Sequence, residues 1–212
     1  MSTLDVTWIK SDDSAVMEGN GVVQMVLLHG WGANARDLMP LAAELNLPGR
    51  AFGFPNAPLP HPHVPDGRAW YDIETGAGFE DSAKLLHEWL EHLPSQTGVP
   101  LSQTVLGGFS QGGAMTLRVG LTLPLAGLAC LSGYLAGEPP RVRLASPTPP
   151  VLMAHGLQDP VIPVAAARQS RTAVEDLGGS VQYREYEMGH QIISAEMADL
   201  REFLLSLSVV AE

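Results

Sequence analysis

The sequence predicts an α/β fold with a mostly parallel sheet covered by helices on both faces. Two observations carry that expectation: short apolar runs of four to eight residues ending in Gly or Pro, and segments of helical period that alternate with them along the chain. A third, a mean hydropathy near zero with 45% hydrophobic and 17% charged residues, indicates a packed globular core. At 212 residues the chain suits one domain, taken as 1–212.

The strands are expected over 24–30 (QMVLLHG), 51–58 (AFGFPNAP), 104–110 (TVLGGFS), 127–133 (GLACLSG) and 150–156 (PVLMAHG). Their Val- and Leu-rich composition is that of strands buried on both faces. The run 181–187 (VQYREYE) alternates in polarity and reads as an edge strand. Helices are expected over 79–93, 112–122, 164–177 and 192–207. The last carries Ile192, Ile193, Met197, Leu200, Phe203, Leu204 and Leu207 on one stripe. The proline-rich stretches 55–67 and 138–150 read as loops, and neither marks a domain boundary.

A formal charge of -11 disfavours phosphate backbones, so no nucleic-acid partner is expected. The start MSTLDVTWIK lacks a basic segment followed by an apolar one, and no uninterrupted apolar run is long enough to span a bilayer. A cytoplasmic protein that is not integral to a membrane is the resulting expectation. Cys130 is the single cysteine, which excludes an internal disulfide, and its apolar surroundings point to a buried structural thiol.

Chemistry enters at Gly108-Phe109-Ser110-Gln111-Gly112, a GxSxG pattern between an apolar strand and a helix-compatible segment. A sharp strand-to-helix turn would strain the serine backbone and leave no room for side chains at 108 and 112. A glycine-rich turn needed only for packing leaves a hydroxyl at its tip unexplained. Serine is a weak nucleophile at neutral pH and needs a base, itself oriented by a third group.

Seven histidines compete for that role. His61 and His63 lie in a proline-rich loop that precedes the serine, and His87 and His92 lie on the charged side of a helix. His29 and His155 each end a strand before glycine and suit a role in shaping loops. His190 follows the last strand and precedes the last long helix, at the sheet edge where ligands gather in such folds. Asp159 lies just past another strand end, in a loop stiffened by Pro160 and Pro163; a turn or cap aspartate is the alternative. The order Ser110, Asp159, His190 is that of triads on the α/β hydrolase scaffold.

Attack on a carbonyl also requires donors for the oxygen that becomes negative. The backbone N–H of Gln111 is supplied by the turn itself, and that of Trp31, in HGWGAN after an early strand, is the expected second donor. A turn with a packed tryptophan is the alternative for Trp31. No metal is expected, because His61 and His63 flank a proline with no carboxylate cluster near them in sequence.

LLHGWGAN, DLMPLA, FPNAP, RAWYDI, GGFSQGGAM, HGLQDPVIP and MGHQIISAEMADLREFL follow one another in an order that resembles the phospholipase/carboxylesterase family, which includes the acyl-protein thioesterases. The resemblance spans roughly residues 22 to 207. It implies an α/β hydrolase without a separate cap domain that cleaves carboxylic esters or thioesters with no cofactor and no metal. Its substrates would be small esters or thioesters, acylated protein or lysophospholipid.

Matched onto the motifs, the resemblance implies that Ser110 would be the nucleophile, Asp159 and His190 its partners, Trp31 and Gln111 the oxyanion donors, and Trp70 a residue lining the acyl pocket, unless it is simply buried in the core. Many members have leucine where this chain has Trp31, and a longer segment where it has ETGAGFED. Acyl-chain preference therefore stays open. The rivals are a lactone hydrolase, which in its cysteine form would need cysteine at 110, a small peptidase, and a binding protein that kept the fold without turnover.

Overall fold

The computed structural model describes residues 4–10, 22–137 and 144–207. Among them are nine strands and five α-helices in chain order: β1 (Val6–Lys10), β2 (Gln24–Leu28), α1 (Ala35–Leu45), β3 (Ala51–Pro55), β4 (Leu59–Pro60), β5 (Arg68–Ala69), α2 (Phe79–Thr97), β6 (Thr104–Phe109), α3 (Gln111–Gly120), β7 (Gly127–Leu131), β8 (Val151–Gly156), α4 (Val164–Asp176), β9 (Val181–Tyr186) and α5 (Ser194–Ser206).

Seven strands form one sheet in the order β1-β3-β2-β6-β7-β8-β9, with β4 and β5 as a separate two-stranded ribbon. β1 runs antiparallel to β3, and every other pairing in the large sheet is parallel. This is the α/β hydrolase architecture expected from the sequence.

Strand alternation divides the interior into two layers. Val26 and Leu28 of β2 face a cluster with Leu86, Leu90 and Leu93 of α2, Met115 and Leu117 of α3, and Val174 of α4. Met25 and Leu27 face the opposite cluster, with Leu38, Ala42 and Leu45 of α1 and Met197, Leu200, Phe203 and Leu204 of α5. Each such side chain, fully buried, contributes about 1.5–3 kcal/mol relative to an exposed one. β9 alternates half-buried and exposed positions, as an edge strand does.

Four elements were not among the expected ones: β4, a two-residue strand inside the stretch 55–67 expected as a loop, its partner β5, and α1 and β1. α1 contains Pro40, which removes one helical donor and blurs the periodic signal, yet the helix is anchored by a capping box between Asn34 and Asp37. β1 is a short edge strand with four half-buried residues, VTWI, too brief to show a period of its own. α2 also runs past the expected end at 93, through Pro94 to Thr97, and stops at Gly98. Of the loop expected over 138–150, residues 138–143 lie outside the described residues, and 144–150 contains neither strand nor helix.

Candidate active site

The parallel strands point their carboxyl ends to one edge of the sheet, and three loops there bring distant residues together. Ser110 follows β6 directly, Asp159 lies three residues after β8, and His190 four residues after β9. His190 Nε2 is 2.8 Å from Ser110 Oγ, and His190 Nδ1 is 2.6 Å from Asp159 Oδ2.

Ser110 has φ 56° and ψ -116°, a positive-φ conformation rare for a residue with a Cβ. The backbone around it is held by Ser110 N donating to Leu131 O on β7. The turn closes so tightly that a Cβ on Gly112 would lie 2.1 Å from Leu28 O, and one on Gly108 would lie 2.4 Å from Gly112 C. Glycine at both positions is therefore a steric requirement.

The loops carrying Asp159 and His190 meet at Gly156, the last residue of β8. A Cβ there would lie 2.4 Å from both Met188 O and Gly189 O, so glycine lets the segment leading to His190 cross close to β8. Phe109 packs against the His190 ring at 4.8 Å.

Asp159 is buried, and each of its oxygens is occupied. Oδ1 accepts the amides of Val161 and Ile162 at 2.8 and 2.9 Å, which leaves Oδ2 for His190. Burial by itself would raise the carboxyl pKa, but the His190 and backbone hydrogen bonds outweigh it, and the group is held below its ordinary value. His155 is also close: its Nε2 is 2.8 Å from Ile162 O and 3.5 Å from Asp159 Oδ2, so it steadies this loop.

On the other side of Ser110, the loop after β2 carries Trp31. Gly30 abuts the serine, since a Cβ at Gly30 would lie 3.3 Å from Ser110 Cβ. The loop is stitched to β5 by Gly32 N to Arg68 O at 3.0 Å and Arg68 N to Ala33 O at 2.8 Å. The Trp31 indole meets the His61 ring edge-on, centroids 4.6 Å apart. Trp31 N donates to no partner among the described residues. Gln111 opens α3, where its N–H has no helical carbonyl ahead of it.

Of the two roles open for Trp70, lining the acyl pocket and core burial, its full burial fits the second, and its hydrogen bonds add that of a brace. It is wholly buried, its backbone N donates to Gln111 Oε1 at 2.8 Å, and its indole Nε1 donates to His29 O at 3.0 Å. The Gln111 side chain completes the lock by donating to Tyr71 O at 2.7 Å. This second use of Gln111, like the contacts of His29 and Tyr71, was missed from sequence; the one hint was a bulky amide placed between two glycines in a tight turn.

Of the remaining histidines, only His61 is described against a site loop, through its contact with Trp31. His87 and His92 sit on α2, and His61 Nδ1 accepts the amides of His63 and Val64. Among the described residues no three His, Cys, Asp or Glu side chains gather around a common point. Cys130 is buried, which pushes its thiol up to about 12 and leaves it inert. No described helix is long and apolar enough to cross a membrane.

Comparison with known proteins bears on the family and the fold. Acyl-protein thioesterase 1 of Gibberella zeae is 34% identical over 64% of this chain, which spans 66% of that relative. Acyl-protein thioesterase 1 of Mycosarcoma maydis is 31% identical, with 85% of this chain and 89% of the relative covered. The crystal structure of esterase PE8 superposes with a TM-score of 0.82 at 30% identity, covering 97% of this chain and 100% of that one. The phospholipase/carboxylesterase family model matches residues 13–208, nearly the whole length, and the chain belongs to that family.

Proposed function

We propose that this protein is a serine hydrolase that cleaves carboxylic esters or thioesters through an acyl-enzyme on Ser110. The observation that carries the proposal is the unbroken hydrogen-bond chain from Ser110 Oγ through His190 to Asp159. The sheet and its two helix layers act as one catalytic unit, with no cap domain among the described residues.

In the first step Ser110 Oγ bonds to the carbonyl carbon while its proton passes to His190 Nε2, and the carbonyl electron pair moves onto oxygen. Asp159 holds the Nδ1 proton and stabilises the imidazolium. The N–H groups of Trp31 and Gln111 receive the negative oxygen; each such donor is worth about 2.7–4 kcal/mol in the transition state. The C=O then re-forms and expels the alcohol or thiol, which takes the proton from His190. Water, giving its proton to His190, attacks the acyl-enzyme and releases the carboxylic acid as the proton returns to Ser110.

The substrate class is a small ester or thioester, an acylated protein or a lysophospholipid; the acyl-protein thioester is the substrate for which the fungal relatives are named. A cytoplasmic setting is proposed on the single cysteine, a buried free thiol, which suits a reducing compartment. Trp70 contributes by bracing the oxyanion side of the site.

Intact-protein mass spectrometry after exposure to a fluorophosphonate tests the proposal. One adduct is expected on the native chain and none on Ser110→Ala. A native chain that stays unmodified and hydrolyses neither esters nor thioesters of any acyl length would be a binding protein on the same fold.

A further inference from the structure

His29 is wholly buried, and one of its two ring nitrogens meets a group twenty-eight residues away in sequence. Its Nε2 lies 3.0 Å from the backbone N of Ala57, an amide that can only donate. Nε2 therefore presents a lone pair, and the proton of the neutral ring sits on Nδ1. That atom is 2.8 Å from Gly30 O, to which it donates.

Gly30 C=O and Trp31 N–H are the two ends of a single peptide unit. The unit is planar and trans, so fixing the direction of its oxygen fixes the direction of its N–H, which points the opposite way. Ala33 N adds a longer bond of 3.3 Å to the same oxygen. A hydrogen bond received by the carbonyl also polarises the peptide and strengthens its N–H as a donor. Gly30 lies against Ser110, so the oriented peptide borders the nucleophile. Trp70 Nε1, on His29 O, secures the peptide on the other side of the imidazole.

We propose that His29 is a positioning residue of the reaction, aiming the Trp31 amide at the oxygen that becomes negative. This rests on the assignment of that amide as an oxyanion donor under the proposed function. Burial holds the ring below its ordinary pKa, in keeping with the singly protonated form that this bonding pattern requires. The connection was hidden in sequence because the Ala57 amide that fixes the tautomer belongs to a different strand end.

Two substitutions separate the ring's two bonds. In His29→Gln the side-chain oxygen can reach the place of Nε2 and accept from Ala57, while the donor to Gly30 O is lost. In His29→Asn the amide nitrogen takes the place of Nδ1 and keeps that donor, while the Ala57 bond is lost. Measured on the full chain are kcat and KM for a short-chain ester, the inhibition constant of an alkyl boronic acid that forms a tetrahedral adduct on serine, and the melting temperature.

His29→Gln is expected to lose about tenfold or more in kcat, short of the 10²–10³ that removal of an oxyanion donor costs, with boronate affinity falling in parallel and KM little changed. His29→Asn is expected to melt earlier yet keep most of its kcat and boronate affinity. His29→Gln with native kcat and boronate affinity overturns the inference, and so does a folded His29→Asn that loses both. Should His29→Gln fail to fold, the His29→Asn outcome still decides. A native chain that a fluorophosphonate leaves unlabelled removes the proposed function itself and this inference with it.

Discussion

Asp159 meets His190 with the one oxygen it has to spare: Oδ2 lies 2.6 Å from His190 Nδ1, while Oδ1 is committed to the Val161 and Ile162 amides. That division makes Asp159→Asn a directed experiment. The asparagine oxygen must stay with the two backbone donors, so its NH₂ faces Nδ1 and forces that nitrogen to accept. The imidazole proton then sits on Nε2, where it blocks uptake of the Ser110 proton. A fall in kcat of about 10³–10⁴ is expected, with KM and melting temperature near native. Turnover within tenfold of native would show that the pairing does not set the tautomer.

Gly112→Ala tests the closeness of the elbow. The added methyl would lie 2.1 Å from Leu28 O and 2.5 Å from Leu28 C, both backbone atoms of a central strand. Neither side can yield by rotating a side chain, so α3 and β2 must separate. A loss of about 3 kcal/mol or more in urea unfolding is expected, at the upper end of overpacking effects. Native stability for this variant would mean that the strand-to-helix turn is looser than described.

Much of this was readable in advance because it depended on local pattern. The Val- and Leu-rich runs located β2, β3, β6, β7 and β8 to within three residues at each end, and the GxSxG spacing located Ser110. His190 and Asp159 stood out because each followed a strand end. What was not readable depended on which group a side chain reaches across the fold. The Gln111 amide bridging Trp70 and Tyr71 spans 40 residues of sequence, and no periodicity announces it. α1 was hidden by Pro40 until the cap at Asn34 was seen to offset it.

Trp31 offers a substitution in which chemistry and access separate. Its proposed donor is main chain, whereas its indole, packed edge-on against His61, stands beside the loop that abuts Ser110. Trp31→Leu keeps the peptide and removes the ring. The lost aromatic pair should cost about 0.5–1.5 kcal/mol of stability. The rate on a short-chain ester should stay near native, while kcat/KM for bulky or long-chain esters rises relative to it. An unchanged ratio across an acyl-length series would show that the indole does not narrow the entrance.

Glu196, on the first turn of α5, sets a pH dependence of stability. It is wholly buried beside Met197, and neither carboxylate oxygen has a hydrogen bond of ordinary geometry among the described residues. Burial raises its pKa from 4.5 to about 8, only partly offset by the Ile193 backbone amide. The groups that feel its charge are the Cys130 thiol and the Tyr186 hydroxyl. Because the folded pKa lies above the unfolded one, the native state keeps a proton that the unfolded chain releases between about pH 4.5 and 8. Stability therefore declines as pH rises through that window, by an amount on the order of several kcal/mol, and levels off above it. Glu196→Gln has no proton to lose there, so urea unfolding at pH 5, 6.5 and 8 should give a flatter profile than the native chain and a relative gain at pH 8. Parallel profiles for the two proteins would show that the carboxyl is not the source of the slope.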